Sequence, residues 1–217
     1  MITISSQDIK ELNKKAVDIL VDNISGLLEK QEHVIFGVVG GSSMSGIFNL
    51  LKHEKRIPWE KIHVFMADER FVLITNEESN FRLANETFVQ NLPKENAHPF
   101  TDIAEYETEL KKYGDSYDIL LLSAGEDGHI ASLFPNHTSI NDDSDHFVMV
   151  KNSPKPPPER MSISRKMVLN SKTALILFLG EGKKHAYQRF LEQGDVYSCP
   201  ARLVKSVENS YVFTNLR

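Results

Sequence analysis

Along this chain, short runs that are apolar throughout alternate with stretches in which apolar residues return every three or four positions. The runs HVIFGVV (33–39), IHVFMA (62–67), YDILLLS (117–123), HFVMV (146–150) and TALILFLG (173–180) read as five buried strands. SYVFTN near the end reads as a sixth, at a sheet edge. Ile9, Leu12, Ala16, Leu20, Ile24 and Leu27 stand at helical spacing, with Ser5 or Ser6 as the cap. Four further helices are expected: MSGIFNLLKH, SNFRLANETFVQNL capped by Ser79 or Asn80, YETELKKYG closed by Gly114, and a stretch from about Lys183 in EGKKHAYQRFLEQG. SPKPPPERMSIS (153–164) reads as an extended proline-rich loop. Strands apolar on both sides and separated by helices specify an α/β fold, a mostly parallel sheet with helices on both faces. No repeat or low-complexity linker divides the 217 residues, so one domain, 1–217, is expected.

Composition narrows the partners. The chain carries 25 basic and 30 acidic residues, well mixed, for a net charge of −5. That balance lacks the basic stripe of a nucleic-acid binder. No apolar run approaches the roughly 18 residues that a membrane span needs. The opening MITISSQDIKELNKK turns polar at once, without the apolar core of a signal peptide. The single cysteine, Cys199, rules out an internal disulfide and fits a reducing compartment. A cytoplasmic protein that binds neither nucleic acid nor membrane is expected.

The strand ends carry the chemistry. In parallel α/β sheets, ligands bind beyond the carboxyl ends of the strands. Four of the runs end there in polar clusters: GGSS, DER, GEDGH and GEGKK. Gly40, Gly41, Ser42 and Ser43 lie between a strand and a helix, where glycines allow close approach and N–H groups and hydroxyls suit a phosphate. The loop is neither a Walker A sequence nor G-x-G-x-x-G, so it implies no nucleotide; a tight turn with a serine cap is the plainer reading. Asp68, Glu69 and Arg70 close the second strand. Arg70 suits a phosphate or carboxylate fork, Asp68 suits orienting a histidine or a substrate hydroxyl, and Glu69 fits a solvated loop.

His129 is the one histidine of eight in such a setting. An imidazole, whose ordinary pKa is about 6.5, can take a proton from water near neutral pH. Gly125 and Gly128 permit an unusual loop around it, and Glu126 or Asp127 can fix its tautomer. No second His or Cys stands at ligand spacing, so no metal is expected. Ser132 lacks a G-x-S-x-G elbow and reads as structural. Arg160 follows three prolines that stiffen its loop. Lys183 begins a helix, where a cation is unfavourable unless an anion is bound beside it.

Together these segments resemble the 6-phosphogluconolactonase family, within the wider glucosamine-6-phosphate isomerase/deaminase-like group. GEDGHIASLFP is the most specific match; ADERFV…ESN (67–80), SPKPPPERMSIS and LGEGKKHAY (179–187) follow in the family's order, over about residues 34–203. The resemblance implies a Rossmann-like, NagB/RpiA/CoA-transferase-like sheet. It implies hydrolysis of 6-phospho-D-glucono-1,5-lactone in the oxidative pentose phosphate pathway, with no cofactor. It implies that His129 is the general base and Asp68 its close partner. Arg70, Arg160 and Lys183 then hold the phosphate with the GGSS loop, while Glu126, Asp127 and Asn80 orient. Backbone N–H groups of the glycine-rich loop are the expected oxyanion donors. The expected partner is a sugar phosphate, and the protein a monomer or weak homo-oligomer. Ser123 stands where the family has glycine, Leu73 where it often has proline, and the ending YVFTNLR lacks the usual tryptophan.

Two alternatives remain at this point. A glucosamine-6-phosphate deaminase/isomerase shares the EDGH core but continues toward AFNEP, where this chain continues ASLFP. A non-catalytic sugar-phosphate sensor would need only the anion-holding groups, not Asp68 and His129.

Overall fold

In the computed structural model, which describes residues 1–216, the apolar runs divide between two sheets. In chain order the elements are β1 (Ile2–Ser5), α1 (Ile9–Leu28), β2 (Val34–Val38), α2 (Ser45–Leu51), β3 (Ile62–Met66), β4 (Asp68–Arg70), α3 (Asn80–Thr87) and β5 (Ala97–His98). There follow α4 (Ile103–Lys111), β6 (Ile119–Ser123), β7 (Phe147–Val150), β8 (Arg160–Ile163), α5 (Arg165–Asn170), β9 (Thr173–Phe178), α6 (Lys184–Leu191) and β10 (Asn209–Thr214). The main sheet runs β1-β10-β9-β6-β2-β3-β5, with every pairing parallel. β2, β3 and β9 are buried along their whole length, so both faces of the central sheet are covered. That explains runs that are apolar throughout instead of alternating.

The chain proceeds from β2 outward to β3 and β5, then returns to β6 on the other side of β2. The strand order therefore reverses between β2 and β6. That point is where a crevice opens in sheets of this kind.

Several sequence expectations are corrected. The run at 146–150 lies outside the parallel sheet: β7 pairs antiparallel with β8, and β8 with β4. The tail of the proline-rich segment is thus strand β8, not loop. SYVFTN is interior, because β1 pairs beyond it. β1 escaped the pattern because an edge strand needs only its backbone, and its side chains are mostly exposed. Helix α1 is capped by Asp8, whose carboxylate accepts the Lys10 N–H at 2.8 Å, not by Ser5 or Ser6. Ser79 does cap α3, accepting from Arg82 N–H at 3.1 Å.

The end of β3 is fixed from both sides of the core. The fully buried Tyr106 accepts the Met66 N–H at 2.6 Å, and Tyr117 donates to the Met66 carbonyl at 3.0 Å. The next residue, Ala67, bonds both sheets: its N–H donates to Val38, and its carbonyl accepts from Ile163. The Asp68–Arg70 strand therefore leaves the main sheet at a set angle.

The amino half of the same edge holds a buried histidine pair. His63 Nδ1 and His98 Nε2 lie 3.0 Å apart, with the Tyr113 ring stacked 3.7 Å from that of His63. Burial pushes His98 down to about 4, reinforced by His63; Glu109, 3.3 Å from His98 Nδ1, opposes it but is outweighed. Burial, then His33, lowers His63 as well. The folded chain thus holds both rings neutral, while the unfolded chain protonates them near 6.5. The unfolded state therefore binds more protons between about pH 6.5 and 4, and stability should fall as pH drops through that window. Urea titrations from pH 7 to 4 should show a shallower loss for His98→Gln than for the native chain.

Candidate active site

A cleft of about 180 Å³ opens at the β2–β6 reversal. It is lined by Gly40, Gly41, Ser42, Ser43, Asp68, Arg70, Asn80, His129, Arg160 and Lys183, together with Val39, Ser123, Ala124, Gly125 and Ala131. Three loops following adjacent strands of the main sheet thus meet the small sheet at one place. Glu126 and Asp127 are not in the wall.

The glycine-rich loop explains how His129 enters. Gly125 N–H donates to the His129 carbonyl at 2.9 Å, and Gly128 N–H donates to the Gly125 carbonyl at 3.0 Å. This tight turn folds the imidazole back over the Gly125 Cα. A Cβ at position 125 would overlap the ring's Cε1 and Nδ1 and lie 2.7 Å from Nε2. The ring's other neighbour is Phe134, with centroids 4.7 Å apart.

Asp127 fixes the imidazole. Its Oδ1 is 2.5 Å from His129 Nδ1 and accepts the His129 backbone N–H at 3.1 Å. Burial pushes the Asp127 carboxyl up, but the bond and charge of His129 outweigh it and hold it well below the usual carboxylate range. A charged carboxylate at Nδ1 places the proton there and leaves Nε2 as the acceptor nitrogen. Glu126 takes no part in this. It is exposed, and its Oε1 lies against Gly182 at the entry to α6. The two acidic residues of the motif are thereby separated. Arg189 on α6 donates to the Asp127 carbonyl at 3.1 Å and steadies the loop from outside.

Asp68 does not orient the histidine, since Asp127 holds that position. Both carboxylate oxygens of the buried Asp68 are held: Asn80 Nδ2 donates to Oδ1 at 3.0 Å and Ser132 Oγ to Oδ2 at 2.8 Å. Asn80 also donates to the Asp68 carbonyl at 3.0 Å. Gly40 makes room for this, because a Cβ there would collide with the Asn80 side chain. Ser132 is structural, as its sequence context indicated, and what it supports is Asp68.

Glu69 overturns the expectation of a solvated loop. It is buried, and its carboxylate accepts the N–H groups of Arg70 (2.8 Å), Asn80 (2.7 Å) and Phe81 (2.7 Å) and the Ser79 hydroxyl (3.0 Å). It thus closes the start of α3 against β4 and sets Asn80 toward Asp68. Burial raises its pKa, opposed by these backbone bonds. A charged residue flanked by two charged neighbours gives no sequence signal of burial.

Three cations face the cleft. Lys183 ends a short 3-10 turn ahead of α6, and its ammonium donates to Ser123 Oγ at 2.7 Å and Ser43 Oγ at 3.0 Å. Burial pushes it down to about 8, although Glu126 opposes the shift. Arg70 donates through Nη1 to the Glu78 carbonyl, while its buried Nε–H has no partner among the described residues. Arg160 is gripped by its own loop: Nε donates to Pro157, and Nη2 to Lys155 and Pro156. Arg160 and Arg70 stand opposite each other on β8 and β4. Burial, then the charge of Arg70, lowers the Arg160 pKa. Two guanidinium groups held side by side favour an anion between them. Among the described residues, no group of three or more His, Cys, Asp or Glu is placed to hold a metal ion, and no helix is long and apolar enough to cross a membrane.

A family profile described as glucosamine-6-phosphate isomerases/6-phosphogluconolactonase matches residues 7–213. The chain belongs to this family. A 6-phosphogluconolactonase of Borreliella burgdorferi is 32% identical over 205 residues, covering 88% of this chain and 87% of that protein. A probable 6-phosphogluconolactonase 1 of Arabidopsis thaliana is 31% identical, over 90% and 84% of the two chains. The crystal structure of a 6-phosphogluconolactonase from Thermotoga maritima superposes with a TM-score of 0.88 at 25% identity, covering 99% of each chain. A monomeric glucosamine-6-phosphate deaminase of the NagB superfamily superposes with a TM-score of 0.79 at 21% identity, which shows the shared α/β fold. Sequence similarity groups the chain with the family's 6-phosphogluconolactonases, a class of carboxylic ester hydrolase.

Proposed function

We propose that this chain hydrolyses 6-phospho-D-glucono-1,5-lactone to 6-phospho-D-gluconate, the second step of the oxidative pentose phosphate pathway, in the cytoplasm. The observation that carries the reading is the imidazole of His129, held by Asp127 at Nδ1, in the wall of a cleft that also contains three cations. In this reading residues 1–217 act as one lactonase domain, as a monomer or weak homo-oligomer.

The phosphate binds at Lys183, with the Gly40–Ser43 loop, Arg70 and Arg160 around it, and so fixes the lactone carbonyl near His129. Nε2 takes a proton from water, and the resulting hydroxide attacks C1. The imidazolium, stabilised by the Asp127 carboxylate, returns the proton to the ring oxygen as the C1–O bond breaks. The N–H groups of Gly125, Gly128 and His129 are already bonded within their loop. Those three groups are therefore unavailable as oxyanion donors, and in this reading the positive field of the cleft also stabilises the charge that develops. Asp68, held at both oxygens, is placed to accept a sugar hydroxyl.

The decisive assay supplies freshly generated 6-phosphogluconolactone and subtracts its spontaneous opening. The purified protein should accelerate ring opening and release no ammonia from glucosamine 6-phosphate. Ammonia release would move the chain to the deaminase reading, and inactivity on both substrates to the sensor reading.

Phosphate binding should depend on Lys183. A charge-assisted bond of this type is worth about 1.5–3 kcal/mol, so Lys183→Ala should weaken 6-phosphogluconate binding by roughly ten- to a hundredfold, while the exposed Lys184→Ala should not. The affinity of the free enzyme should also decline as pH rises through about 8, where the buried ammonium loses its proton. Calorimetry over pH 7–9 measures both, and equal affinity of Lys183→Ala and wild type would remove Lys183 from the site.

A further inference from the structure

Ser123 is the last residue of β6 and breaks an otherwise apolar run. Its hydroxyl faces the cleft and accepts a hydrogen bond from Lys183 Nζ at 2.7 Å. Ser43, in the loop after β2, accepts from the same ammonium at 3.0 Å. β9, β6 and β2 are neighbours in the sheet, so Lys183, Ser123 and Ser43 rise from three adjacent strand ends and converge.

Proton accounting gives this trio a direction. An ammonium has three N–H donors and no acceptor, and a hydroxyl has one donor and two lone pairs. Two of the Lys183 donors are spent on the two serines. Each serine, having accepted from a cation, must send its own O–H elsewhere. Among the described residues neither hydroxyl has an acceptor. Three donors, one N–H and two O–H, are thus left unspent at one end of the cleft. Hydroxyls polarised by an adjacent ammonium are strengthened donors, and their natural complement is an oxyanion with several lone pairs.

We propose that Ser123 is a phosphate-binding residue of this chain, donating its hydroxyl proton to a substrate phosphate oxygen while accepting from Lys183. The proposal rests on the lactonase reading for the identity of the phosphate's carrier. It makes position 123 a specificity determinant: the hydroxyl adds a ligand for the phosphate that a glycine would lack, and it fixes the ammonium between two serines.

The test is calorimetry on wild type, Ser123→Ala, Lys183→Ala and the double variant, titrated with 6-phosphogluconate, inorganic phosphate and D-gluconate. Ser123→Ala should bind 6-phosphogluconate and inorganic phosphate about five- to tenfold more weakly. D-gluconate should bind both proteins alike. The double variant should bind 6-phosphogluconate more weakly than Lys183→Ala alone, because Ser123 touches the phosphate itself. In turnover the loss should fall in KM. Unchanged affinity in Ser123→Ala would overturn the proposal. So would a loss that disappears in the Lys183→Ala background, which would make Ser123 only a tether for the lysine. An equal loss with D-gluconate would overturn it too. If Ser123→Ala folds poorly, Ser123→Gly serves in its place. Loss of inorganic phosphate binding in a protein whose wild type opens no lactone would support this site and sink the lactonase reading.

Discussion

Replacing His129 with alanine should remove most of the lactonase rate, on the order of 10²–10⁴-fold. Nδ1 is committed to Asp127, so Nε2 is the nitrogen open to water in the cleft. In the proposed reading the phosphate is held elsewhere, by Lys183 and the serines bonded to it, so 6-phosphogluconate should bind the variant nearly as well as wild type. The chain should stay folded, because the loop is held by backbone bonds between Gly125, Gly128 and His129 that alanine keeps. Stopped-flow lactone opening, with calorimetry of product binding and a urea titration, measures all three. A folded, product-binding His129→Ala protein with wild-type turnover would move the base elsewhere, with Asp68 the nearest choice.

The second large effect comes from a single methyl group. Gly125→Ala places a Cβ where the imidazole of His129 now lies. Either the ring rotates off Asp127 or the turn opens. In both cases the base is displaced by about the width of a methyl group, and misplacement on the order of 1 Å can cost about 10²-fold in rate. The rate loss should therefore approach that of His129→Ala, although His129, Asp127 and Lys183 are all still present. The NMR signal of the Nδ1 proton bonded to Asp127 should shift or broaden in the variant. Product affinity should change much less than the rate. A Gly125→Ala protein with native turnover would mean that the ring is not held where the structure places it. The same reasoning gives Gly40 a second packing role, since Asn80 passes over it on its way to Asp68.

Most of this architecture was legible in the sequence, and for a definite reason. A strand buried on both faces is apolar at nearly every position, so β2, β3, β6 and β9 announce themselves in a one-dimensional pattern. Their polar ends then mark the ligand edge, and Gly40–Ser43, Asp68, Arg70, His129 and Lys183 do line one cleft. β1 was not legible, because its stability comes from backbone pairing that leaves its side chains in solvent. Nor was the second sheet: β4, β7 and β8 are three or four residues long, and β4 pairs with a β8 that lies far along the chain, Asp68 opposite Ser162 and Arg70 opposite Arg160.

The division of labour among the polar residues was decided by tertiary structure alone. Nothing in EDGH separates Glu126 from Asp127, since both are acidic and adjacent to glycine; the turn at Gly125 brings Asp127 to Nδ1 and leaves Glu126 outside. Burial of Glu69 follows from the Ser79 hydroxyl and the backbone N–H groups of Asn80 and Phe81 at the start of α3, which lie ten to twelve residues away. Arg160 reads as a free cation until its loop carbonyls are placed around it. Ser123 reads as a departure from a pattern until Lys183, sixty residues later, is found on its hydroxyl. Sequence by itself determined which residue types stand at the strand ends, because that follows from local burial and chain order. Which of them bond to each other depends on distances across the sheet edge, set by the order β9, β6, β2 for Lys183 and its serines and by the packing of β4 and β8 against the main sheet for Asp68 and the two arginines.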